Sequence, residues 1–399
     1  MLKIYKTQSD TVKQLTKIYW FYYFIRILGD IFINIMIYDI SKNIYFNLIY
    51  IMVKETGTTI SVFLYSYITT KYQLNIKYSY KLYTFILFLS FITLFLVKDE
   101  LYYILFYAFI YGTSIGIFFF TFHSYSLLKV QYEERDFFSS LVTLGTETVS
   151  ILAPILIIIS IYISQYLGVG DYNVMILMMI LSSVIMLFFV KSLESLIPQQ
   201  QTVKSLFKHI NENKNKKALF VYNLFSGVRS LSVVVSAAYL SLEALNTAIN
   251  IGYVEIFTGL LSIYVVAKMA KKRNVNDRIK IMIFASILIA IAYLNIIVFG
   301  ISLLSYSIMS LLLIVAIPMY TTSMNVMDLN TMDMLKVDGK INYAIVYREF
   351  ILYVGRIGTG LLMLGIYYLV DDSIVVVNLY LMITIISFIV MNIAATKLK

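Results

Sequence analysis

Ten charged side chains stand inside long apolar runs of this sequence: Arg26, Asp30, Lys54, Glu55, Glu147, Arg229, Glu255, Arg348, Glu349 and Arg356. In lipid each would cost roughly 2.5–3.5 kcal/mol or more, so each is expected to face a cavity or an opposite charge. Arg26 and Asp30 are four apart, share one helix face and can pair. Asp30 lies about 18 Å into its run at 1.5 Å per residue, near the middle of a bilayer. Burial penalises its charge and Arg26 favours it, so proton or substrate binding is able to tip the balance. The alternative is a permanent pair that never titrates. Glu147 lies about 15 Å deep with no basic residue near it in sequence, so its partner is expected from another helix, Arg356 or Lys54. Without a partner it rests protonated, and with one it is a fixed salt bridge.

The remaining charges divide by depth. Lys54 and Glu55 are adjacent, about 100° apart on a helix, and are expected to find partners on other helices. Arg348 and Glu349 sit about 8–9 Å from one membrane face, within snorkelling reach, and read as a gate or interface pair. Arg356, two turns beyond Glu349, is about 19 Å deep and is expected to meet Glu147 or Asp30. Glu255 lies nearer the opposite face, where a wet structural role suffices. Asp30, Glu147, Glu55 and Glu349 are therefore the candidate proton carriers, and Arg26, Lys54, Arg229, Arg348 and Arg356 their charge partners. Tyr19, Tyr22, Tyr23, Tyr107, Tyr111 and Tyr222 are candidate cavity-lining residues, aromatic walls suiting amphipathic organic solutes. The plainer reading is interfacial enrichment of tyrosine together with the Ile/Lys/Asn/Tyr bias of an AT-rich, bacterial genome.

The elements that hold these charges follow from composition. Of 399 residues 60% are hydrophobic and 14% charged, against roughly 25% charged in a soluble protein. The apolar residues fall in blocks of about 20, the length that spans a bilayer as a helix. The blocks predict an all-α integral membrane protein with twelve spans near 18–38, 44–67, 78–97, 101–122, 138–164, 173–190, 218–240, 249–267, 279–299, 302–323, 343–370 and 373–395. The polar stretch 196–217 divides the chain into two six-helix bundles, 1–195 and 218–399. With the N-terminus cytoplasmic, 25 of the 32 Lys and Arg residues fall in cytoplasmic segments and only Lys42 and Lys98 in outer loops. The positive-inside rule then places both termini in the cytoplasm. The net charge of +10 is a topology signal and carries no suggestion of nucleic-acid binding. No cleavable signal segment precedes the first span.

The halves echo one another. Arg26 and Arg229 are 203 positions apart, Glu55 and Glu255 200, and Glu147 and Glu349 202. Tyr19 and Tyr222 each precede their arginine by seven. A near-constant offset of half the chain is what duplication leaves in many transporters.

Twelve spans, a long 6–7 loop and the basic 8–9 loop KMAKKRNVNDRIK (268–280) together resemble the major facilitator superfamily over essentially the whole chain. The 2–3 loop, YITTKYQLNIKYSYK, lacks that family's Gly, Asp and basic cluster, and only Ala153-Pro154 remains of its exporter motif in span 5. The resemblance implies that spans 1, 4, 7 and 10 line a cavity, 2, 5, 8 and 11 form an interface, and 3, 6, 9 and 12 are peripheral. All ten buried charges fall on spans 1, 2, 5, 7, 8 and 11. It further implies a monomeric secondary transporter of the cytoplasmic membrane, working by alternating access on a small-molecule substrate with protons. Proton-coupled efflux of a drug or metabolite is the expected activity; nutrient or peptide import and lipid or glycolipid flipping are the alternatives. No ATP-binding loop, hydrolase motif, cysteine or metal-ligand cluster occurs, so no enzyme, cofactor or metal is expected.

Overall fold

The computed structural model describes residues 9–41, 44–97, 100–170, 172–189, 193–197, 210, 212–245, 260–265, 277–336, 341–370 and 373–398. Among them are eleven long helices: α1 (Asp10–Ser41), α2 (Ile44–Lys71), α3 (Ser79–Val97), α4 (Leu101–Lys129), α5 (Arg135–Leu167), α6 (Asn173–Phe189), α7 (Lys216–Leu245), α8 (Arg278–Phe299), α9 (Leu303–Asp333), α10 (Asn342–Leu369) and α11 (Ser373–Thr396). They stand at eleven of the twelve expected spans. The eighth, with Glu255, lies outside the described residues except for a helical stretch at 260–265, as do most of the 196–217 stretch and of the basic 8–9 loop. An apolar run in lipid must satisfy every backbone amide and carbonyl internally, and a helix does so within one segment.

Eight of these helices, α3–α5 and α7–α11, are long and apolar enough to cross a membrane by length and composition. The apolar α6 is shorter. Helices α1 and α2 fall outside that set, and they are the two that carry Arg26, Asp30, Lys54 and Glu55. The polar side chains that remain inside the spans mostly close on their own helix: Thr58 donates to the Lys54 carbonyl at 3.0 Å, Thr121 to Ile117 at 2.7 Å and Ser124 to Phe120 at 2.7 Å. Such back-bonding removes the cost of burying a free hydroxyl.

The chain forms two compact units. One comprises Met1–Phe138, Ala153–Asn213 and Leu329–Phe350; the other comprises Ser139–Leu152, Lys214–Asp328 and Ile351–Lys399. In the first, α2 lies along α4, and α3 packs on α4 and α6. In the second, α11 packs on α7 and α8. The first unit's core is aromatic, with Tyr22, Tyr80, Tyr83, Tyr107, Tyr111, Tyr125, Phe91 and Phe118 fully buried.

Candidate functional site

The α2–α4 contact is made by glycines, and it places the charges of the first unit. A methyl added at Gly112 of α4 would run into the Lys54 carbonyl of α2, and one at Gly57 of α2 into the Phe109 carbonyl of α4. Small residues let two backbones touch where larger ones would hold them apart. The touching point is the turn that carries Lys54, so its ammonium is delivered to α1. There Asp30 accepts from Lys54 Nζ at 2.9 Å through Oδ1 and from Arg26 Nε at 3.1 Å through Oδ2. One carboxylate thus bridges two cations from two helices.

The surroundings of this triad are aromatic. Arg26 lies over the Phe119 ring at 5.7 Å and Lys54 over Tyr50 at 5.9 Å. Tyr22 stacks on Phe118, and Tyr107 stacks between Tyr50 and Tyr111. The Tyr111 hydroxyl lies beside Gly29, the residue before Asp30, close enough that an added methyl would crowd it. Lys54 is almost sealed, with 5% of its side chain exposed, while Arg26 and Asp30 keep 27% and 26%. Of the three partners, Arg26 and Asp30 are partly exposed and Lys54 is closed off.

Glu147 sits in the second unit. Its Oε2 accepts from the Ser262 hydroxyl at 2.6 Å. Among the described residues Glu147 makes no ion pair, with Arg356 of the same unit or otherwise, and Lys54, its other expected partner, is paired with Asp30 within the first unit. A hydroxyl is a partner that serves the protonated and the charged carboxyl alike, because it can donate or accept.

Other expected residues occupy different settings. Arg348 and Glu349 are buried in the first unit, at 7% and 6% exposure. Glu55 and Arg356 are half-buried. Of the tyrosines, Tyr22, Tyr107, Tyr111 and Tyr222 are packed into helix contacts with at most 1% exposed, while Tyr19 and Tyr23 are half-buried. Tyr222 donates to Asp328 Oδ1 at 3.0 Å. Ring contacts account for the burial of Tyr22, Tyr107 and Tyr111: a tyrosine facing other rings removes more apolar area by packing than by lining water.

Arg135, Asp333 and Lys336 were not expected from sequence. Arg135 and Lys336 both pair with the Asp333 carboxylate; Arg135 also donates to Asn330 Oδ1 at 3.0 Å, and Lys336 to the Leu127 carbonyl at 3.1 Å. The cluster ties the ends of α4 and α5 to the end of α9 within the first unit. These residues lie just beyond the apolar runs, where charges normally meet water. The only local sign was an acid and a base three apart at a helix end.

No protein-family model matches the chain, and no curated protein matches it in sequence. Solved structures do match. The fold is similar to that of the human organic anion transporter MFSD10, at 10% identity and a TM-score of 0.69, covering 96% of this chain and all of that one. It is similar to the E. coli fucose:proton symporter FucP, at 12% identity and a TM-score of 0.67, over 97% of this chain and 98% of that. A bacterial homologue of the iron transporter ferroportin, in an outward-facing state, matches at 11% identity and a TM-score of 0.68, over 98% and 99%. A second FucP structure, described as a major facilitator superfamily transporter, matches over 98% and 99% at a TM-score of 0.67. The likeness runs the length of both chains, and the chain has the fold of these transporters.

Proposed function

We infer that a chain with the major facilitator fold and a bridged carboxylate on α1 works as a secondary active transporter that couples solute movement to protons. The observation that carries this reading is Asp30, held between Arg26 and Lys54 and itself partly exposed. A solute that seats Arg26 firmly on Asp30 favours the charged carboxylate and drives its proton off. Proton uptake in turn frees Arg26 and loosens the solute, so the two exchange. Glu147 is the second candidate carrier, because its Ser262 contact suits both protonation states. The expected direction is export of a small organic compound by alternating access, with both chain ends in the cytoplasm and the halves 1–195 and 218–399 as the moving bodies.

Everted membrane vesicles with an acidic interior test this. Compounds from a panel of organic acids, lipophilic cations, antibiotics and peptides are added and proton release is followed. Release with at least one compound, abolished by Asp30→Asn or Glu147→Gln, is the expected result. Proton uptake along with the compound, seen only in right-side-out vesicles with the gradient reversed, would make the protein an importer. Silence in both orientations, from protein shown to be folded, would remove proton coupling.

A further inference from the structure

Arg229 is the counterpart of Arg26 at an offset of 203 positions, and the two are neutralised differently. On α1 the residue four beyond Arg26 is Asp30, which accepts its hydrogen bond. On α7 the residue four beyond Arg229 is Val233. The guanidinium of Arg229 faces two rings instead, Tyr320 of α9 and Phe388 of α11, each centroid 5.8 Å away. Those rings meet edge to face at 4.7 Å and form a corner. Among the described residues Arg229 makes no ion pair, and its buried Nε has no hydrogen-bond partner. The side chain as a whole is only half-buried, so it can be reached.

A cation gains least from an aromatic face when it is partly exposed and near the limit of contact. A guanidinium at spanning depth without an acid costs more than such contacts return. The two rings, each at 5.8 Å, therefore neutralise Arg229 only in part, and its buried Nε stays unsatisfied. What the site lacks is what Asp30 supplies to Arg26, a carboxylate. A methyl at Gly227, two residues before Arg229, would strike the Leu352 carbonyl of α10, so α7 and α10 lie backbone to backbone beside the site.

We propose that Arg229 is the anion-binding residue of a site in the second unit, and that it takes the anionic head, in the first place a carboxylate, of an organic solute whose apolar body lies along the Tyr320–Phe388 corner. The proposal rests on the transport reading for its purpose and names the substrate class as organic anions. The same head-group chemistry is offered by an anionic lipid, so the test separates the two.

The purified full chain in phosphatidylcholine nanodiscs is heated with benzoate, benzenesulfonate or phenyl phosphate, and with benzamide as the neutral probe of the same shape. At least one anionic probe is expected to raise the unfolding midpoint while benzamide does not. Arg229→Gln is expected to weaken that probe by about 10–100-fold, the loss of a charge-assisted hydrogen bond. Arg229→Lys keeps the charge but loses the planar fork and is expected to fall between. No anion-specific stabilisation, or an unchanged response in Arg229→Gln, overturns the proposal. Should Arg229→Gln fail to fold, an Arg229→Lys affinity equal to wild type overturns it. If phosphatidylglycerol nanodiscs abolish the response, the occupant is a lipid head group and the solute assignment falls. The assay needs no gradient, so anion binding without proton release in vesicles sinks the transport reading alone. Proton release without anion binding sinks this proposal alone.

Discussion

Replacing Asp30 by Asn removes the charge that bridges Arg26 and Lys54, and the two arms of the bridge should fail unequally. At a separation near 3 Å and an effective dielectric of about 20, each arm has a Coulomb attraction of about 5 kcal/mol before desolvation is counted. Removing one partner of a buried pair costs about 3–5 kcal/mol in practice, because the survivor stays buried and uncompensated. Lys54, with 5% of its side chain exposed, is such a survivor. Arg26, at 27%, can turn to water, and its arm should behave like a surface pair worth about 0.2–1 kcal/mol. Asp30→Asn is therefore expected to cost about 3 kcal/mol, and about 1 kcal/mol when Lys54 is already Met. The Asp30–Lys54 coupling should be about 2 kcal/mol and the Asp30–Arg26 coupling about half of that or less. The assay is reversible unfolding in mixed dodecylsulfate micelles, followed by the fluorescence of Trp20, the one tryptophan of the chain, which lies on α1. An Asp30→Asn cost unchanged by Lys54→Met, or a larger coupling to Arg26 than to Lys54, would mean that the buried arm does not dominate the bridge.

Two further outcomes follow from single contacts. Gly112→Ala puts a methyl into the Lys54 carbonyl, a backbone atom that cannot swing aside. It should cost about 1–3 kcal/mol and lower transport by loosening Lys54 from Asp30. Gly358→Ala on α10 meets open space, and the same unfolding assay should find it neutral or slightly stabilising. At the end of the first half, Glu194 accepts from Lys129 at 2.5 Å and from Thr11 at 3.3 Å, while its carbonyl accepts from Tyr125 at 2.7 Å. The Lys129 ammonium holds the Glu194 carboxyl below its ordinary value of 4.5. A lowered folded value means the contribution is present above 4.5 and lost as pH falls through that lower value. Limited proteolysis at 193–197 should therefore be slow from neutral pH down to 4.5 and quicken below it, and Glu194→Gln should flatten the profile.

The helices were legible because lipid leaves a chain little choice: apolar runs of about 20 residues predict spans, and helices stand where those runs are. The Arg26–Asp30 pair was legible for the same local reason, since four residues on a helix bring two side chains together whatever surrounds them. The third member was not, because which acid Lys54 meets depends on how closely α2 approaches α4. That approach is decided by Gly57 and Gly112 on two helices, and no periodicity within one helix records it. The same limit left Glu147 assigned to Arg356 or Lys54, when its contact is the uncharged Ser262. Arg135 and Asp333 were passed over because end-of-helix charges usually face water, and here a buried arginine, with 4% of its side chain exposed, is folded back onto an acid almost 200 positions away. The position of Arg229 repeats Arg26 in the sequence, which also shows Val233 where the first half has Asp30, and the structure adds that two rings face the guanidinium instead. On the proposal made above, a cation kept at this position without its internal anion is one that a ligand can complete.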